Sequence, residues 1–417
     1  MRRHLAVLLA CLFVVMIGFG ITLPVLPFYV ERLALQEGAT QRTVVLHVAL
    51  LTAVYSFMQL IFAPLWGRWS DRIGRRPLIL VGVAGYVLAQ VMFGLSTSLW
   101  LLYVARIVGG VLSSATLPVS AAYVADLTTQ SQRSRGMAWL GTAASLGVVV
   151  GPALGGLLSR RDWHLRWSTE HLRVDSFSIP FFAAALLGLL TLLAGLRWLP
   201  ESRPNRPSEH HPPAHDRETR AASRRLWRAL SPLLLLTLAG QFALTMFEGT
   251  FALFAQAKFA FGPTEVGYVF VVCGLVMTVF QVGAVGFLAG RVTEMKQIGV
   301  GFALMGAGIA LLVTAQTAAP VFAFVGLLSL GMALIAPNVS ALVSKRGGEG
   351  HAGASLGIQN AANSLGQSAG PLLGGVLLLW NVDAPYLLSG ALLLGFATFI
   401  AGRRLAARGK TPGARPR

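Results

Sequence analysis

Charge is scarce in this chain. Of its 417 residues only 12% are Asp, Glu, Lys or Arg, against about 25% in a typical soluble domain. Too little polar surface remains to coat a globule in water. Cysteine is scarcer still. Cys11 and Cys273 stand alone, each inside an apolar run, so neither a disulfide framework nor a redox compartment is implied. Two chemical signatures are also missing, H-E-x-x-H and G-x-x-x-x-G-K-[ST]. Without them the usual groups for zinc proteolysis and ATP-driven pumping are absent. No enzyme activity, metal or cofactor is expected.

Apolar residues make up 55% of the chain, and runs of about 20 recur along it, each long enough to cross a hydrocarbon core about 30 Å thick. Spans are predicted near 5–30, 44–66, 78–96, 99–124, 136–158, 177–198, 230–257, 264–289, 297–316, 320–343, 353–379 and 384–402. The start, Arg2-Arg3-His4 and then apolar residues to Val30, exceeds the 7–15 apolar residues of a signal peptide and reads as a retained first span. The expected fold is all-α, with twelve transmembrane helices.

The net charge of +18 would suit a nucleic-acid partner if it formed one patch. Its placement excludes that reading. With both termini on one side, that side receives 25 of the 34 Lys and Arg, and the opposite side about 7, four of them within 159–175. This is the positive-inside bias. It predicts a multi-pass protein of the cell (inner) membrane with both termini cytoplasmic, its basic side drawn to anionic lipid.

Between 200 and 229, Pro, Arg, Ser, His and acids replace Leu and Val, a composition that cannot bury enough apolar surface to fold alone. His210, His211, His215 and Asp216 lie here and read as solvated linker rather than a metal site. The predicted division is a six-helix bundle at 1–199, a cytoplasmic linker at 200–229, a second bundle at 230–402 and a basic tail at 403–417.

The two halves repeat one another. Ala143-Ala144-Ser145-Leu146-Gly147 and Gly151-Pro152-Ala153-Leu154-Gly155-Gly156 return 219 positions later as Ala362-Asn363-Ser364-Leu365-Gly366 and Gly370-Pro371-Leu372-Leu373-Gly374-Gly375. The same offset carries Pro118 to Pro337 and Arg72 to Arg291. Six spans separate equivalent positions, so the pseudo-symmetric bundles share one orientation, related by an axis along the membrane normal. Substrate sites in such designs lie near the midplane, between the halves.

Several motifs carry chemistry. After the second span, Gly67-Arg68-Trp69-Ser70-Asp71-Arg72-Ile73-Gly74-Arg75-Arg76-Pro77 sets one acid among four arginines. Topology accounts for the arginines but not for Asp71, which can accept from Arg or bind a helix N-terminus, worth about 0.3–1 kcal/mol. Contacts of that size made in one conformation only would bias a gate. The loop after the eighth span keeps Arg291 but has Gly290 in place of the acid, so the latch is expected to be asymmetric. Gly147, Gly151 and Gly155 recur every fourth residue, a face on which another helix backbone can approach closely, and Pro152 can kink that helix. Ordinary small-residue packing and an antiport element fit this spacing equally.

Arg106 stands too deep to snorkel, at a cost of about 2.5–3.5 kcal/mol for a central Arg, and so should face the bundle interior. Glu248 is the acid well inside the seventh span, on one helical face with Gln241 and Thr245. A carboxyl taken out of water can change protonation near physiological pH, as proton relays require; a permanently neutral, hydrogen-bonded Glu is the alternative. Tyr55, Gln59, Gln281, Asn338, Asn360, Asn363 and Gln367, with Phe247 and Phe251, either line a substrate cavity or hydrogen-bond and pack between helices.

The loop at 67–76 resembles the G-x-x-x-D-R-x-G-R-[RK] signature of the major facilitator superfamily. Tyr103–Gly110, with Arg106 and Gly110, is similar to the R-x-x-x-G pattern of its drug/proton antiporter branch. Tyr123–Leu127 followed by Arg133 and Arg135, Leu199-Pro200-Glu201-Ser202, and the G-x-x-x-G-P-x-x-G-G element at Gly147–Gly156 resemble that branch too, over nearly the whole chain. The resemblance, nearest to tetracycline and multidrug exporters, implies that Gly67, Asp71, Arg72, Gly74, Arg75 and Arg76 form a gating loop. It implies that Arg106 takes part in proton coupling, and that the helix with Gly147, Gly151, Pro152, Gly155 and Gly156 lies between the halves and limits leakage. The tetracycline exporters have an acid in the first span before a Pro-x-x-Pro element; here Val15 stands upstream of Pro24 and Pro27. That departure puts tetracycline itself in question and shifts coupling to Glu248. The expected function is a monomeric exporter of small lipophilic compounds in exchange for protons. A metabolite or sugar exporter of the same fold is the alternative, and a non-transporting receptor the reading from another class.

Overall fold

The structure, a computed structural model, describes residues 2–159, 167–169, 172–174, 176–202, 217–288, 291–347 and 352–408. Among these, twelve helical rods follow one another. The first six are α1 (Arg2–Gln36), α2 (Gln41–Ile73), α3 (Arg75–Gly94), α4 (Leu99–Leu127), α5 (Gln130–Leu158) and α6 (Ile179–Trp198). The second six are α7 (Arg217–Phe259), α8 (Pro263–Leu288), α9 (Glu294–Leu311), α10 (Ala318–Gly347), α11 (Ala352–Leu378) and α12 (Ala384–Arg408). A short antiparallel hairpin, Trp167–Thr169 with Leu172–Val174, lies between α5 and α6. Eleven rods are long and apolar enough to cross a bilayer. The twelfth, α11, has the length, but Asn360, Asn363, Gln367 and its glycines and serines dilute its hydropathy.

Helices are the only open-ended backbone that satisfies its own N–H and C=O groups in hydrocarbon, which is why the rods dominate. Prolines interrupt that bonding at chosen depths. Pro118 cannot donate to the carbonyl of residue 114, and a 3₁₀ turn at Ser113–Ala115 divides α4 just before it. Helix α7 begins at Arg217, so the predicted linker 200–229 is helical over its last part. The histidine cluster at 210–216 and the end of the basic tail, 409–417, lie outside the described residues.

The outer coat is apolar. On α6, Leu186, Leu189, Leu190, Leu193 and Leu196 all stand exposed, a face that suits lipid and not water. Exposed tryptophans mark its edges: Trp69, Trp139 and Trp198 near the end that bears the arginine loop, Trp100 and Trp380 at the other. We call these the basic end and the far end.

The glycine motif shows how the bundles are built. In α5, a Cβ at Gly147 would lie 2.5 Å from the Phe13 carbonyl oxygen, at Gly151 2.5 Å from that of Ile17, and at Gly155 2.8 Å from that of Ile21. All three partners are on α1, in the same bundle. In α11, Gly366, Gly370 and Gly374 meet α7 in the same manner, through Leu238, Phe242 and Met246. Only the fourth glycine of each set crosses over. Gly156 abuts Pro263 and Gly267 of α8, and Gly375 abuts Ala49 of α2. The three-glycine face therefore packs within each bundle, while the fourth glycine brings the same helix against the opposite half. The halves meet chiefly through α5 with α8 and α2 with α11.

This packing sets a test. Gly151→Ala forces a methyl against backbone, which cannot move aside, and is expected to destabilise by about 1–3 kcal/mol. Gly141→Ala, on the same helix with nothing within 4 Å, is expected to be neutral or slightly stabilising. Thermal denaturation of the two purified variants checks the order.

Candidate functional site

Where the bundles face each other, α1, α2 and α4 meet α7 and α11 around a small central chamber. Its wall includes Phe19, Thr22, Thr52, Tyr55, Ser56 and Arg106 from the first bundle and Thr245, Glu248, Gly249, Gln367 and Pro371 from the second. The two ionisable groups that the sequence singled out, Arg106 and Glu248, thus line one space from opposite halves. About 30 Å³ is free inside, room for water but well short of the roughly 300–1,000 Å³ of a small-molecule site. A substrate of drug size needs the bundles to part.

Arg106 is only 6% exposed. Its guanidinium carbon sits 5.4 Å from the Tyr55 ring centre and 5.5 Å from that of Phe93, contacts worth about 0.5–2 kcal/mol each. Its Nε has no hydrogen-bond partner. Tyr55 is held in turn by Ser113, 3.3 Å away, and by the Gln59 amide, which donates to its hydroxyl at 3.3 Å. Arg106 also lines a second small cavity inside the first bundle, walled by Val15, Tyr86, Gln90 and Phe93. An acid at position 15 would have faced that cavity. With Val15 there, the chamber's carboxylate comes from Glu248, which is half-buried.

The other predicted cavity residues are distributed more widely. Thr245 lines the chamber, its hydroxyl 3.1 Å from the Gly366 carbonyl. Gln59 sits behind Tyr55. Gln241 and Gln281 are half-buried outside the wall just described. Asn338 is buried inside the second bundle, where it donates to Gln297 at 3.0 Å and to the Leu334 carbonyl at 2.8 Å. Phe251 is fully buried in an aromatic core with Phe247, Phe254 and Phe270. Both pack helices rather than face the chamber. Asn363, half-buried, and Asn360, exposed, continue the Gln367 face of α11 toward the basic end. Sequence reading passed over Phe19, Thr22, Thr52 and Ser56. A signal existed for two of them, since Thr52 and Ser56 share a helical face with Tyr55.

At the basic end, Arg75 is the hub. It reaches Asp71 at 2.7 Å and Asp126 at 3.1 Å, and also donates to Ser70. Asp126 accepts from the Ser202 hydroxyl at 3.2 Å. Glu201 receives the backbone N–H groups of Arg75 at 2.9 Å and Arg76 at 3.2 Å, so it caps α3 from 126 residues away. Gly74 permits this, with φ of +108° and a Cβ position only 2.6 Å from the Glu201 carboxylate. The helix N-terminus that Asp71 was a candidate to bind is therefore held by Glu201, while Asp71, 65% exposed, pairs with Arg75 across the turn from α2 to α3. Gly67 has open space around it. Arg76 donates to the Leu196 carbonyl at 2.8 Å. Every one of these contacts ties the first bundle to itself. In the second bundle, Lys345 pairs with Glu294; Gly290 lies outside the described residues.

The far end is closed. Glu31 of α1 accepts from Gln256 of α7 at 2.8 Å and from Gln41 of α2 at 3.2 Å. Thr264 of α8 donates to the Gly156 carbonyl of α5 at 3.0 Å. Two related bundles, closed at one end around a chamber with a cation and a carboxyl on facing walls, define a multi-pass membrane transporter. The chain belongs to the Major Facilitator Superfamily, whose model matches residues 8–368 and 233–417.

It is 29% identical to multidrug resistance protein 2 of Bacillus subtilis (strain 168) over 393 residues, 93% of this chain and 92% of that protein. It is 31% identical to the class E tetracycline resistance protein of Escherichia coli over 378 residues, 89% and 87% of the two chains. Among solved structures, a POT family transporter in complex with a thioalcohol-conjugated peptide superposes with a TM-score of 0.77 at 14% identity, over 97% of this chain and 96% of that one. That likeness is one of fold.

The far-end contact makes a prediction. A hydrogen bond to a charged group contributes about 1.5–3 kcal/mol, so Glu31→Ala should raise far-end opening roughly tenfold or more. A cysteine at position 264, in a chain freed of Cys11 and Cys273, should react correspondingly faster with a water-soluble maleimide. Equal rates with and without Glu31 would show that the contact does not hold the closure.

Proposed function

We propose that this transporter exports small lipophilic compounds in exchange for protons, with Glu248 as the coupling carboxyl. One observation carries the reading: Glu248 and Arg106 line the same chamber from opposite bundles, and Glu248 is the acid in its described wall. When Glu248 is ionised it balances Arg106 and the chamber is neutral overall. Protonation leaves Arg106 uncompensated. The two states therefore favour different separations of the bundles, and a ligand or proton that prefers one separation shifts the equilibrium by that preference alone. A lipophilic cation and a proton compete for one carboxylate, and that competition makes the process an exchange.

Orientation follows from the charge asymmetry. The basic end faces the cytoplasm with both termini, and the far end faces outward across the cell membrane. The closed state is then the one that loads from inside, along the α11 face bearing Asn360, Asn363 and Gln367. The loop from Gly67 to Arg76 acts as a gate on the cytoplasmic side, Asp71 being its exposed acid. Four glycines and Pro152 give α5 its close fit to α1 and, at Gly156, to α8, which keeps the far side tight to water. The working unit is a monomer. The multidrug and tetracycline resistance proteins among its relatives support a drug-like substrate class over a sugar or metabolite.

Inverted membrane vesicles test the assignment. With an acidified lumen they should accumulate a lipophilic cationic dye, and a protonophore should collapse the accumulation. Glu248→Gln should reduce accumulation to background with protein abundance unchanged. Wild-type accumulation indifferent to the proton gradient would remove the exchange.

A further inference from the structure

We propose that a groove between α9 and α12, at the basic end of the second bundle, binds one anionic phospholipid. The groove has a volume of about 540 Å³. Helix α9 makes its contacts with α10 and α12, so this side of it turns away from the first bundle and toward the membrane. The cause of the groove is visible in the packing. The helices cross closely at Gly306 and Gly390, where an added Cβ would lie 3.1 Å from the facing carbonyl. Toward the basic end Ile400 packs against Gly299, and beside that contact the small residues Ala303, Ala397 and Ala401 leave the groove open. Val300 and Leu394 stand 45% and 36% exposed along its rims.

A groove with such walls inside the hydrocarbon layer takes an acyl chain, because water there would forgo hydrogen bonds. Charge selects the head group. Lys296 lines the groove's basic end and is exposed. The nearby acid on its helix, Glu294, is engaged by Lys345. Arg403 follows on α12, exposed, with its guanidinium over Phe399 at 5.7 Å. No acid is among the residues described around the groove. From Lys296 to Ala303 the groove runs about 10 Å along α9, at 1.5 Å per residue, which sets the head group at the membrane surface and the chain below it. One net negative charge at the phosphate matches this arrangement; a zwitterionic head group brings no net attraction.

The purified, delipidated full chain, titrated in detergent with equimolar phosphatidylglycerol and phosphatidylcholine, reports binding by native mass spectrometry. The wild type should retain the anionic lipid about fivefold over the zwitterionic one, the ratio expected for a single Lys at an anionic surface. Lys296→Gln should bring that ratio near one. Ala303→Leu with Ala397→Leu should lower retention of both lipids, each variant being confirmed as monodisperse. A phosphatidylglycerol with a photoreactive acyl chain should label peptides covering 294–303 and 394–401. Equal retention by the wild type, an undiminished preference in Lys296→Gln, or labelling elsewhere would each overturn the proposal. Crosslinks between two chains through α9 and α12 would overturn it in favour of self-association.

Discussion

Helices already in a bilayer gain nothing further by hiding apolar surface from one another, because the lipid is as apolar as they are. What remains is contact, and here contact is made by glycine. Along α5 and α11, three glycines at four-residue intervals let a second helix settle backbone against backbone. Those contacts make each bundle one stiff body. The fourth glycine of each set makes the junction between bodies, and the two largest contacts that must loosen for the chamber to open are α5 with α8 and α2 with α11. Rigidity within and separability between are consequences of the same residue type placed one position apart.

The stiff bodies bring a guanidinium and a carboxyl to a common place. Arg106 would be costly in hydrocarbon, yet aromatic faces on two sides and the facing wall with Glu248 make its position tolerable. Because the partners belong to different bodies, their separation changes whenever the bodies move. In the exchange we propose, that change of separation is what ties protonation of Glu248 to the arrangement of the two bundles. The cluster around Arg75 works in the opposite sense. It knots the ends of α2, α4 and α6 together, so that the first bundle moves as a unit at its basic end.

Much of this was legible in the sequence, and the rest was hidden for identifiable reasons. Spans follow from apolar length, and the family follows from the arginine loop and the glycine motif. The repeat announced itself at a fixed offset. Partners did not. Gly147, Gly151 and Gly155 promised a close neighbour, but spacing on one helix does not say which helix faces it. Asp71 and Glu201 are 130 positions apart, and local pattern offered Asp71 for a cap that Glu201 supplies. Asn338 and Phe251 have the composition of a binding wall, and only packing shows them turned into the second bundle. Thr22 and Phe19 carry no pattern at all, being a hydroxyl and a ring in a run of apolar residues.

The repeat is also imperfect in an informative way. Gly20 and Gly249 occupy matching places, each against the proline of its glycine helix, yet α1 continues to Gln36 while α7 stops at Phe259. By that alignment Glu31 falls opposite Ala260, the residue that leaves the helix with φ of 56°. The lip that bears Glu31 on the far side is therefore longer in the first half than at the matching place in the second. Its grip can be strengthened or relaxed over evolutionary time without disturbing the shared architecture beneath it, and so the balance between the two openings need never have been even.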